Sequence, residues 1–375
     1  MGIALADLSA QHAEVGNELR AALERVIAHG RFVDGPEVVE FEERFAQRCG
    51  TQHCVGVSSG TAALSVGLKA AGVGPGDEVL VPALTFFATA EAVVEAGARP
   101  VLVDVAPGTA LLDPAAAEAA ITNRTAAITV VDLYGQMVDV RRFRALADRY
   151  GLLLVEDAAQ AHGARFGPVT AGSAGRLGAF SFFPGKNLGA MGDAGAITTD
   201  DSEVADRARR LRDHGRSDKH RHEQLGTNAR LDTLQAAILT VKLRRLDAWN
   251  ARRRSLAAGY DQAFAPLEGV APIAVPSPAH HVYHQYVVRL ADRDRALAHL
   301  RERGIATGVH YPVPLHHQPA LAAYASDTAC PHAERLAGEV LSLPVHPHLS
   351  DDDQARVIEA VAEYVGALAP AETPR

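Results

Sequence analysis

The chain contains the sequence LLLVEDAAQAH at residues 152–162 and the sequence AFSFFPGKNLG at residues 179–189. Each stretch begins with a short apolar run that is typical of a buried strand. A charged side chain follows each run, Asp157 in the first stretch and Lys186 in the second. Open α/β sheets bind their ligands at the edge where the strands have their carboxyl ends. We therefore expect a carboxylate and an amine to lie together at that edge.

Five more apolar runs of the same kind surround these two, and helical patterns separate most of them. The runs are Val55–Ser59, Glu78–Val81, Val101–Val105, Ala127–Val131 and Ala196–Thr199. The helical patterns are Thr61–Ala71, Thr89–Ala96, Pro114–Ile121 and Val140–Tyr150. This alternation predicts an α/β fold with a mostly parallel seven-stranded sheet and helices on both faces. No helical pattern separates the run at residues 179–183 from the last run, Ala196–Thr199. This predicts an antiparallel hairpin of these two strands within the sheet.

The pattern changes after a long helical segment at Thr233–Ala258. Beyond it we expect strands at Tyr286–Leu290 and Gly308–Tyr311, and helices at Ala296–Arg303, Glu334–Leu341 and Asp351–Leu368. The sequence therefore predicts a large domain at residues 1–249 and a smaller α+β domain at residues 250–375.

The composition excludes several classes of protein. The 375 residues include 37 Lys and Arg and 45 Asp and Glu, a formal net charge of −8, whereas nucleic-acid-binding proteins are normally basic. No apolar run approaches the ~20 residues of a transmembrane helix, and the N-terminus lacks a signal-peptide pattern, so we expect a cytoplasmic protein. The three cysteines cannot form a disulfide framework and have no zinc-ligand spacing, so we expect reduced thiols and no metal site. We interpret His280 and His284 as structural, because they lie in a strand-like segment.

A third polar element is the sequence SSGTAAL at residues 58–64, a strand end followed by a glycine turn and a helix start. Free N–H groups at a helix N-terminus bind phosphate, and Thr61 adds a hydroxyl; a plain helix cap is the alternative interpretation. A phosphate site, a carboxylate and a lysine are together what pyridoxal 5′-phosphate (PLP) requires. Lys186 is one of only four lysines, and Phe86 is available to stack on the cofactor ring. A buried salt bridge between Asp157 and Lys186 is the simpler alternative.

The sequence resembles the DegT/DnrJ/StrS-type nucleotide-sugar aminotransferases, which have the PLP fold type I of aspartate aminotransferase. The resemblance spans nearly the whole chain, and the pairing of the Asp157 and Lys186 motifs is its most specific part. Asp132 is a departure, because relatives often carry His or Ser there. The matching motifs are GPE at 35–37, SGTAAL at 59–64, PALTF at 82–86, EDAAQAHG at 156–163, SFFPGKN at 181–187, LRDHG at 211–215, NARLD at 228–232, HYP at 310–312 and LSLP at 341–344.

The resemblance implies roles position by position. Lys186 would bind PLP and shuttle the proton, and Asp157 would pair with the ring nitrogen. The other implied cofactor-binding residues are Gly60, Thr61, Ala62 and Ser181 at the phosphate, Phe86 on the ring, Gln160 at the 3′-hydroxyl, and Asn228. In this family Asn228 would reach the cofactor phosphate of the other subunit, which implies a homodimer with active sites at the subunit interface. The implied substrate-binding residues are His310, Tyr311 and Arg230.

The resemblance implies transfer of an amino group from an L-amino acid, with glutamate as the expected donor, to a nucleotide-linked keto-sugar. Residues 225–232 and the His310-Tyr311 region are more similar to relatives that aminate C3 than to those that aminate C4. A cyclitol aminotransferase of aminoglycoside pathways shares every cofactor residue and stays open as an alternative. A PLP sugar dehydratase carries His where this chain has Lys186. A nicotinamide-dependent oxidoreductase needs a G-x-G-x-x-G sequence that the chain lacks, and a non-catalytic PLP-binding regulator would not need Lys186.

Overall fold

The computed structural model describes residues 2–324 and 329–367. Three helices precede the sheet: α1 (Leu8–Glu14), α2 (Gly16–His29) and α3 (Pro36–Cys49). Helix α3 begins with Pro36 at the favoured first position. Gly50 directly follows its last residue and closes the helix in the left-handed conformation, with a φ of 73°. Its apolar face packs against residues of the central sheet and of the helices that cover it, so this helix is part of the same core.

Strands and helices alternate through the middle of the chain. They are β1 (His53–Val57), α4 (Gly60–Ala70), β2 (Glu78–Pro82), α5 (Ala88–Glu95), β3 (Arg99–Val103), α6 (Pro114–Ala119), β4 (Thr125–Val131), α7 (Val140–Tyr150), β5 (Leu153–Asp157), β6 (Arg165–Phe166), β7 (Val169–Thr170), β8 (Leu177–Ser181), β9 (Gly195–Thr199) and α8 (Ser202–Leu211). A short 3₁₀ turn, Leu133–Gly135, follows β4.

Seven of these strands form one sheet in the order β1-β9-β8-β5-β4-β2-β3. Strands β8, β5, β4, β2 and β3 are parallel to one another, while β9 runs antiparallel to both β8 and β1. The prediction of a mostly parallel seven-stranded sheet is therefore confirmed, as is the hairpin between its last two strands. Strands β5 and β8 are neighbours, which brings their carboxyl ends to the same edge.

The rest of the described chain contains α9 (Thr233–Leu243), α10 (Leu246–Phe264), β10 (Val270–Pro272), β11 (Ala279–His280), β12 (Tyr286–Leu290), α11 (Arg293–Glu302), α12 (Pro331–Glu339), β13 (Val340–Leu343) and α13 (Asp351–Gly366), with 3₁₀ turns at Leu315–His317 and Pro319–Leu321. Strands β10, β12 and β13 form a small antiparallel sheet. Strand β11 pairs with β6, and β6 pairs with β7, in a third sheet. The boundary at residue 249/250 stays a prediction, and residue 250 lies inside helix α10.

Three predicted elements differ from the structure. The helix predicted at Thr233–Ala258 is broken between α9 and α10, although no Gly or Pro marks the break; Arg245 there pairs with Glu14 and Glu18 of the N-terminal helices. The strand predicted at Gly308–Tyr311 is reduced to a single bridge between Gly308 and Ser342. The helix predicted to reach Leu341 ends at Glu339, because the next residues pair with β12. Leu368, the predicted end of the last helix, lies outside the described residues.

A buried aromatic cluster lies behind β8. The rings of Phe45 and Phe180 have centroids 4.9 Å apart in an edge-to-face arrangement, and Phe182 contacts both Phe41 and Phe45. Such ring pairs stabilise a core beyond the area that they bury. The cluster joins α3 to β8, so it fixes the strand that leads into Lys186. The described helices include none that is long and apolar enough to span a membrane.

Candidate active site

Asp157 is the last residue of β5, and its side chain is buried. Its Oδ2 accepts a hydrogen bond from Thr89 Oγ1 at 2.8 Å, and its Oδ1 accepts one from the Ala159 amide at 3.2 Å. Burial raises the pKa of Asp157, while the two hydrogen bonds and the nearby Lys186 charge act in the opposite direction. A buried carboxylate needs such partners, and a cationic ligand would add a further one.

Lys186 lies five residues beyond the end of β8, in a tight turn. Its amide donates to Phe183 O at 2.8 Å, and a Cβ on Gly189 would lie 2.3 Å from Pro184 O, so only glycine closes the turn. Lys186 is half-buried, and none of the hydrogen bonds within the described residues comes from its Nζ. Burial lowers the pKa of Lys186 to about 8, although Asp157 counteracts the shift. A much larger fraction of this amine than of an ordinary lysine is therefore neutral, and nucleophilic, near neutral pH.

Amide and imidazole side chains hold the Lys186 turn through the neighbouring residue Asn187. Asn187 Nδ2 donates to Asn250 Oδ1 at 2.8 Å and to Val282 O at 3.0 Å, and His284 Nδ1 lies 3.2 Å from Asn187 Oδ1. Burial lowers the pKa of His284 well below its ordinary value, so its imidazole is neutral. The structural role of His284 stays a prediction, and its contact is with Asn187, the residue next to Lys186.

Helix α9 supports the segment that follows the turn. Lys242 is fully buried, and its Nζ donates to Gly189 O at 2.7 Å and lies 3.0 Å from His12 Nε2. Its third partner is Gln11 Oε1 at 3.4 Å, so this buried lysine bonds to no carboxylate in the described chain. Burial lowers the pKa of Lys242 to about 8. The lysine therefore ties helix α1 and helix α9 to the backbone three residues after Lys186.

The SSGTAAL segment forms the start of helix α4 beside β8. Ser59 caps the helix, because its Oγ accepts from the Ala62 amide at 3.0 Å, whereas the amides of Gly60 and Thr61 make no hydrogen bond within the described residues. A Cβ on Gly60 would lie 2.6 Å from Ser181 Cβ. The structure thus brings Gly60, Thr61 and Ser181 together, with two open amides at a helix N-terminus. This is the donor set that a phosphate requires.

Phe86, Gln160 and Tyr311 form a second group near Asp157. The rings of Phe86 and Tyr311 have centroids 5.8 Å apart, and Gln160 Nε2 donates to the Tyr311 hydroxyl at 3.2 Å. Gln160 Oε1 accepts from the Tyr134 amide at 2.6 Å, and the Tyr134 hydroxyl donates to His310 O at 2.6 Å. Burial and the Asp157 charge both raise the pKa of Tyr311, so its hydroxyl stays protonated.

Asn228 and Arg230 lie together on a segment that runs beside the end of β1. Arg230 Nη2 donates to Asn228 Oδ1 at 3.0 Å, and its guanidinium also pairs with Asp213 at 3.5 Å. The Arg230 backbone forms a bridge with Val57 at the end of β1, whereas the Asn228 side chain is exposed. Among the described residues, neither side chain hydrogen-bonds to Lys186 or Asp157. The backbone between them nevertheless lies beside the SSGTAAL segment, because the Ser58 amide donates to Ala229 O at 3.0 Å.

Thr89 and Tyr134 are the site residues that the sequence did not single out. Thr89 follows Phe86 by three residues, which puts it one helical turn into the segment that carries the aromatic ring. Tyr134 has a φ of 64°, and it precedes Gly135 in a turn directly after β4. A non-glycine residue with positive φ often marks a functional position, but the sequence alone does not reveal the angle.

Comparison with known proteins agrees with this geometry. The profile of the DegT/DnrJ/EryC1/StrS aminotransferase family matches residues 13–362. The chain belongs to this family. The dTDP-3-amino-3,4,6-trideoxy-alpha-D-glucose transaminase of Streptomyces venezuelae is 48% identical over 360 residues, which cover 96% of this chain and 95% of the relative.

Two solved structures of aminotransferases are similar to this one over most of its length. The structure of S. venezuelae DesV in complex with a ketimine intermediate has a TM-score of 0.95 and 47% identity, and it covers 97% of this chain and 98% of its own. The structure of NtdA from Bacillus subtilis with bound cofactor PMP has a TM-score of 0.88 and 32% identity, and it covers 94% of this chain and 82% of its own. The fold is that of the PLP-dependent aminotransferases, and PLP is the cofactor of this enzyme class.

The residues present fit this cofactor. Gly60 leaves the space that a Cβ would fill beside Ser181, and the Gly60 and Thr61 amides have no other partner among the described residues. The buried Asp157 carboxylate hydrogen-bonds to Thr89 and to the Ala159 amide and not to the Lys186 amine, so both groups are available to a ligand between them. The aminotransferase thus offers an amine, a carboxylate and open amides around one sheet edge.

The lowered pKa of Lys186 predicts its reactivity. In the PLP-free aminotransferase, acetylation of Lys186 should accelerate with pH and level off above about pH 8, because only the neutral amine reacts. The rate for added Nα-acetyl-lysine, with a pKa of about 10.4, should still rise there. Lys242 should stay unmodified, because it is fully buried. Competitive labelling followed by peptide mass spectrometry gives each rate, and a Lys186 rate that parallels that of Nα-acetyl-lysine would contradict the assignment.

Proposed function

We propose that the enzyme transfers an amino group from an L-amino acid, glutamate in particular, to the C3 ketone of a nucleotide-linked keto-sugar, in the biosynthesis of an amino-deoxysugar. The observation that carries the proposal is a half-buried Lys186 amine, with a pKa of about 8, at the same sheet edge as the buried Asp157 carboxylate. The Streptomyces venezuelae relative, which is 48% identical, is named for a 3-amino sugar, and this name supports the C3 position.

PLP, when bound, supplies an electron sink that lets an amine and a ketone exchange through proton transfers at carbon. Lys186 Nζ would hold the cofactor, take the proton from the α-carbon of the donor, and later return a proton to the sugar carbon. Its lowered pKa suits both roles, because the amine can accept and release a proton near neutral pH. Asp157 would keep the ring nitrogen protonated, and Thr89 orients this carboxylate.

Other residues would position the cofactor. The amides of Gly60 and Thr61, the Thr61 hydroxyl and Ser181 would bind the phosphate; the Ala62 amide already donates to Ser59, so its contact would be shared. Phe86 would stack on the ring, and Gln160 Nε2 would reach the 3′-hydroxyl beside the Tyr311 hydroxyl.

The proposed substrate-binding residues are Tyr311, His310 and Arg230. Tyr311 is the best supported, because its hydroxyl contacts Gln160 and its ring lies against Phe86. The contact of His310 Nδ1 with Ser342 Oγ, at 2.8 Å, orients the imidazole ring. Burial lowers the pKa of His310 to about 4, so it would bind sugar hydroxyls as a neutral imidazole. Neither the relative's name nor the site favours the cyclitol alternative over a sugar.

We further propose a homodimer in which Asn228 and Arg230 complete the partner's site. Exposed apolar side chains support this proposal, because several of them lie on segments that meet at the start of helix α9. Val33 pairs with Asp232 through the backbone, and the Met191 amide donates to Gln235 at 2.8 Å. A second copy of the chain would cover this surface beside the Lys186 turn. The exposed side chains are Phe32, Val33, Phe183, Met191 and Leu225.

The substrate assignment predicts a clear preference among keto-sugars. With PLP and L-glutamate, the enzyme should aminate dTDP- or UDP-linked 3-keto-6-deoxysugars at least about tenfold faster, in kcat/KM, than the 4-keto isomers, since a 1.4 kcal/mol difference already gives this ratio. Coupled measurement of 2-oxoglutarate and mass spectrometry of the sugar product provide the rates. Lys186→Ala is the negative control. A preference for the 4-keto isomers, or for a cyclitol ketone, would refute the proposal.

Asp157→Asn should lower kcat at least about a hundredfold while much of the PLP stays bound, because a neutral amide cannot keep the ring nitrogen protonated. Thr89→Val should have a smaller effect in the same direction, since it removes one hydrogen bond and leaves the carboxylate. Stopped-flow absorbance of the glutamate half-reaction reports the rate, and PLP content is measured separately. Near-normal turnover of the Asn variant would show that Asp157 is only a structural residue.

The shared site predicts complementation between two inactive chains. Lys186→Ala and Asn228→Ala proteins, each tested alone at low PLP, should be poorly active. Mixing them should restore activity, because one site of each heterodimer then combines a native Lys186 with the Asn228 of the partner chain. Subunit exchange is confirmed independently by native mass spectrometry. No gain in activity despite exchange would mean that each chain builds its own phosphate site.

A further inference from the structure

Two acidic side chains lie beneath the site, and the reaction described above uses neither. Asp132 directly follows β4, and Glu156 is the residue before Asp157 in β5; in the strand register Val130 aligns with Glu156. Both side chains are 0% exposed. Two ionised carboxylates without a cation between them would be strongly unfavourable at such a depth.

The contacts show how the pair is accommodated. Asp132 Oδ1 accepts from the Val138 amide at 3.3 Å, and Glu156 Oε2 accepts from the Ala174 amide at 2.9 Å. The remaining oxygens, Asp132 Oδ2 and Glu156 Oε1, are buried and accept no hydrogen bond from any other group among the described residues, and the two carboxyl groups are close enough to hydrogen-bond to each other. A hydrogen bond between two carboxyl oxygens needs a proton on one of them, so the pair holds one proton and one negative charge.

The surrounding charges place that proton on Asp132. Burial, Glu156 and Asp157 all raise the pKa of Asp132, and the Val138 amide only partly offsets them. Burial also raises the pKa of Glu156, but the amides of Gly172 and Ala174 and the charge of Arg144 favour its ionised form. From helix α3, the Cys49 thiol faces Glu156, and its raised pKa keeps it neutral.

The pair connects directly to the residues around the cofactor site. The Asp132 amide donates to Asp157 O at 3.0 Å, and Asp132 O accepts from the Gly135 amide at 3.2 Å. Asp132 therefore fixes the turn Leu133–Gly135 at both its side chain and its backbone. Within this turn, Tyr134 presents its amide to Gln160 and its hydroxyl to the backbone of His310.

We propose that Asp132 is a positioning residue of the aminotransferase: it shares a proton with Glu156 and thereby holds the turn that aligns Gln160 and Tyr311 at the cofactor. This role rests on PLP-dependent transamination and not on the identity of the sugar. Neither the glutamate half-reaction nor the unfolding measurement described below involves the sugar, so failure of the sugar assignment would leave this proposal intact.

The test compares two variants in the PLP-loaded enzyme. Asp132→Asn retains an acceptor for the Val138 amide and a permanent N–H donor for Glu156, so its glutamate half-reaction should stay within about threefold of the unsubstituted rate. Asp132→Ala leaves Glu156 Oε1 unpaired and frees the turn, so kcat should fall about tenfold to a hundredfold through misalignment, with a smaller change in the KM for glutamate. A rate that is retained with Asn and lost with Ala would show that residue 132 acts through its hydrogen bond to Glu156 and not through a charge of its own.

The pH dependence of unfolding is the second readout. Between the pKa of an unfolded Asp, about 3.9, and the raised pKa of the folded pair, the folded chain holds one more proton than the unfolded chain, so stability falls as the pH rises. Asp132→Asn removes this dependence. The Tm of the variant minus that of the unsubstituted enzyme should therefore increase by about 2 °C or more from pH 5 to pH 8.

Exposed Asp352→Asn serves as the matched control and should show no such trend. Asp157 also has a raised pKa, but it is present in both proteins and cancels in the difference. The proposal is overturned if Asp132→Asn slows the half-reaction as much as Asp132→Ala does, because a hydrogen bond would then not be what matters. A Tm difference that does not change with pH would equally overturn it, because no proton would be shared.

Discussion

The proposed active site depends on the low polarity of one sheet edge, where the segments that follow β5 and β8 present opposite charges. The same burial acts in opposite directions on the two groups, because it raises the pKa of Asp157 and lowers that of Lys186 to about 8. A more exposed edge would leave the lysine charged and unreactive. The surrounding elements serve this arrangement: the aromatic cluster fixes β8, Thr89 fixes the carboxylate, and Asn187 fixes the turn.

The sequence predicted the sheet and the two central residues because both depend on local pattern. Apolar runs mark the strands, and a strand end that is followed by Asp157 or by a glycine-bounded Lys186 needs no knowledge of distant residues. Thr89 and Tyr134 escaped prediction because their importance lies in contacts with residues 68 and 26 positions away. The break between α9 and α10 is similar, since Arg245 is held there by acidic residues of the N-terminal helices.

The residues assigned from family resemblance divide into two groups by the contacts of their side chains. Those around Asp157 and Lys186 lie together within one chain, whereas Asn228 and Arg230 bind each other and Asp213 on a surface beside exposed apolar side chains. A prediction from sequence motifs cannot distinguish residues that meet within one chain from residues that meet through symmetry. The homodimer proposal accounts for both groups, because a two-fold axis would bring the second group to the first.

Lys242 gives the N-terminal helix an importance that its position in the chain does not suggest. Helix α1 has only seven residues, yet Gln11 and His12 share the buried ammonium of Lys242 with the Gly189 carbonyl in the segment after the Lys186 turn. Trimming the first fourteen residues for expression or crystallisation would open this ammonium to water and remove two of its three partners. A shortened protein would then have a loosened Lys186 turn, although the deleted segment contributes no group to the reaction itself.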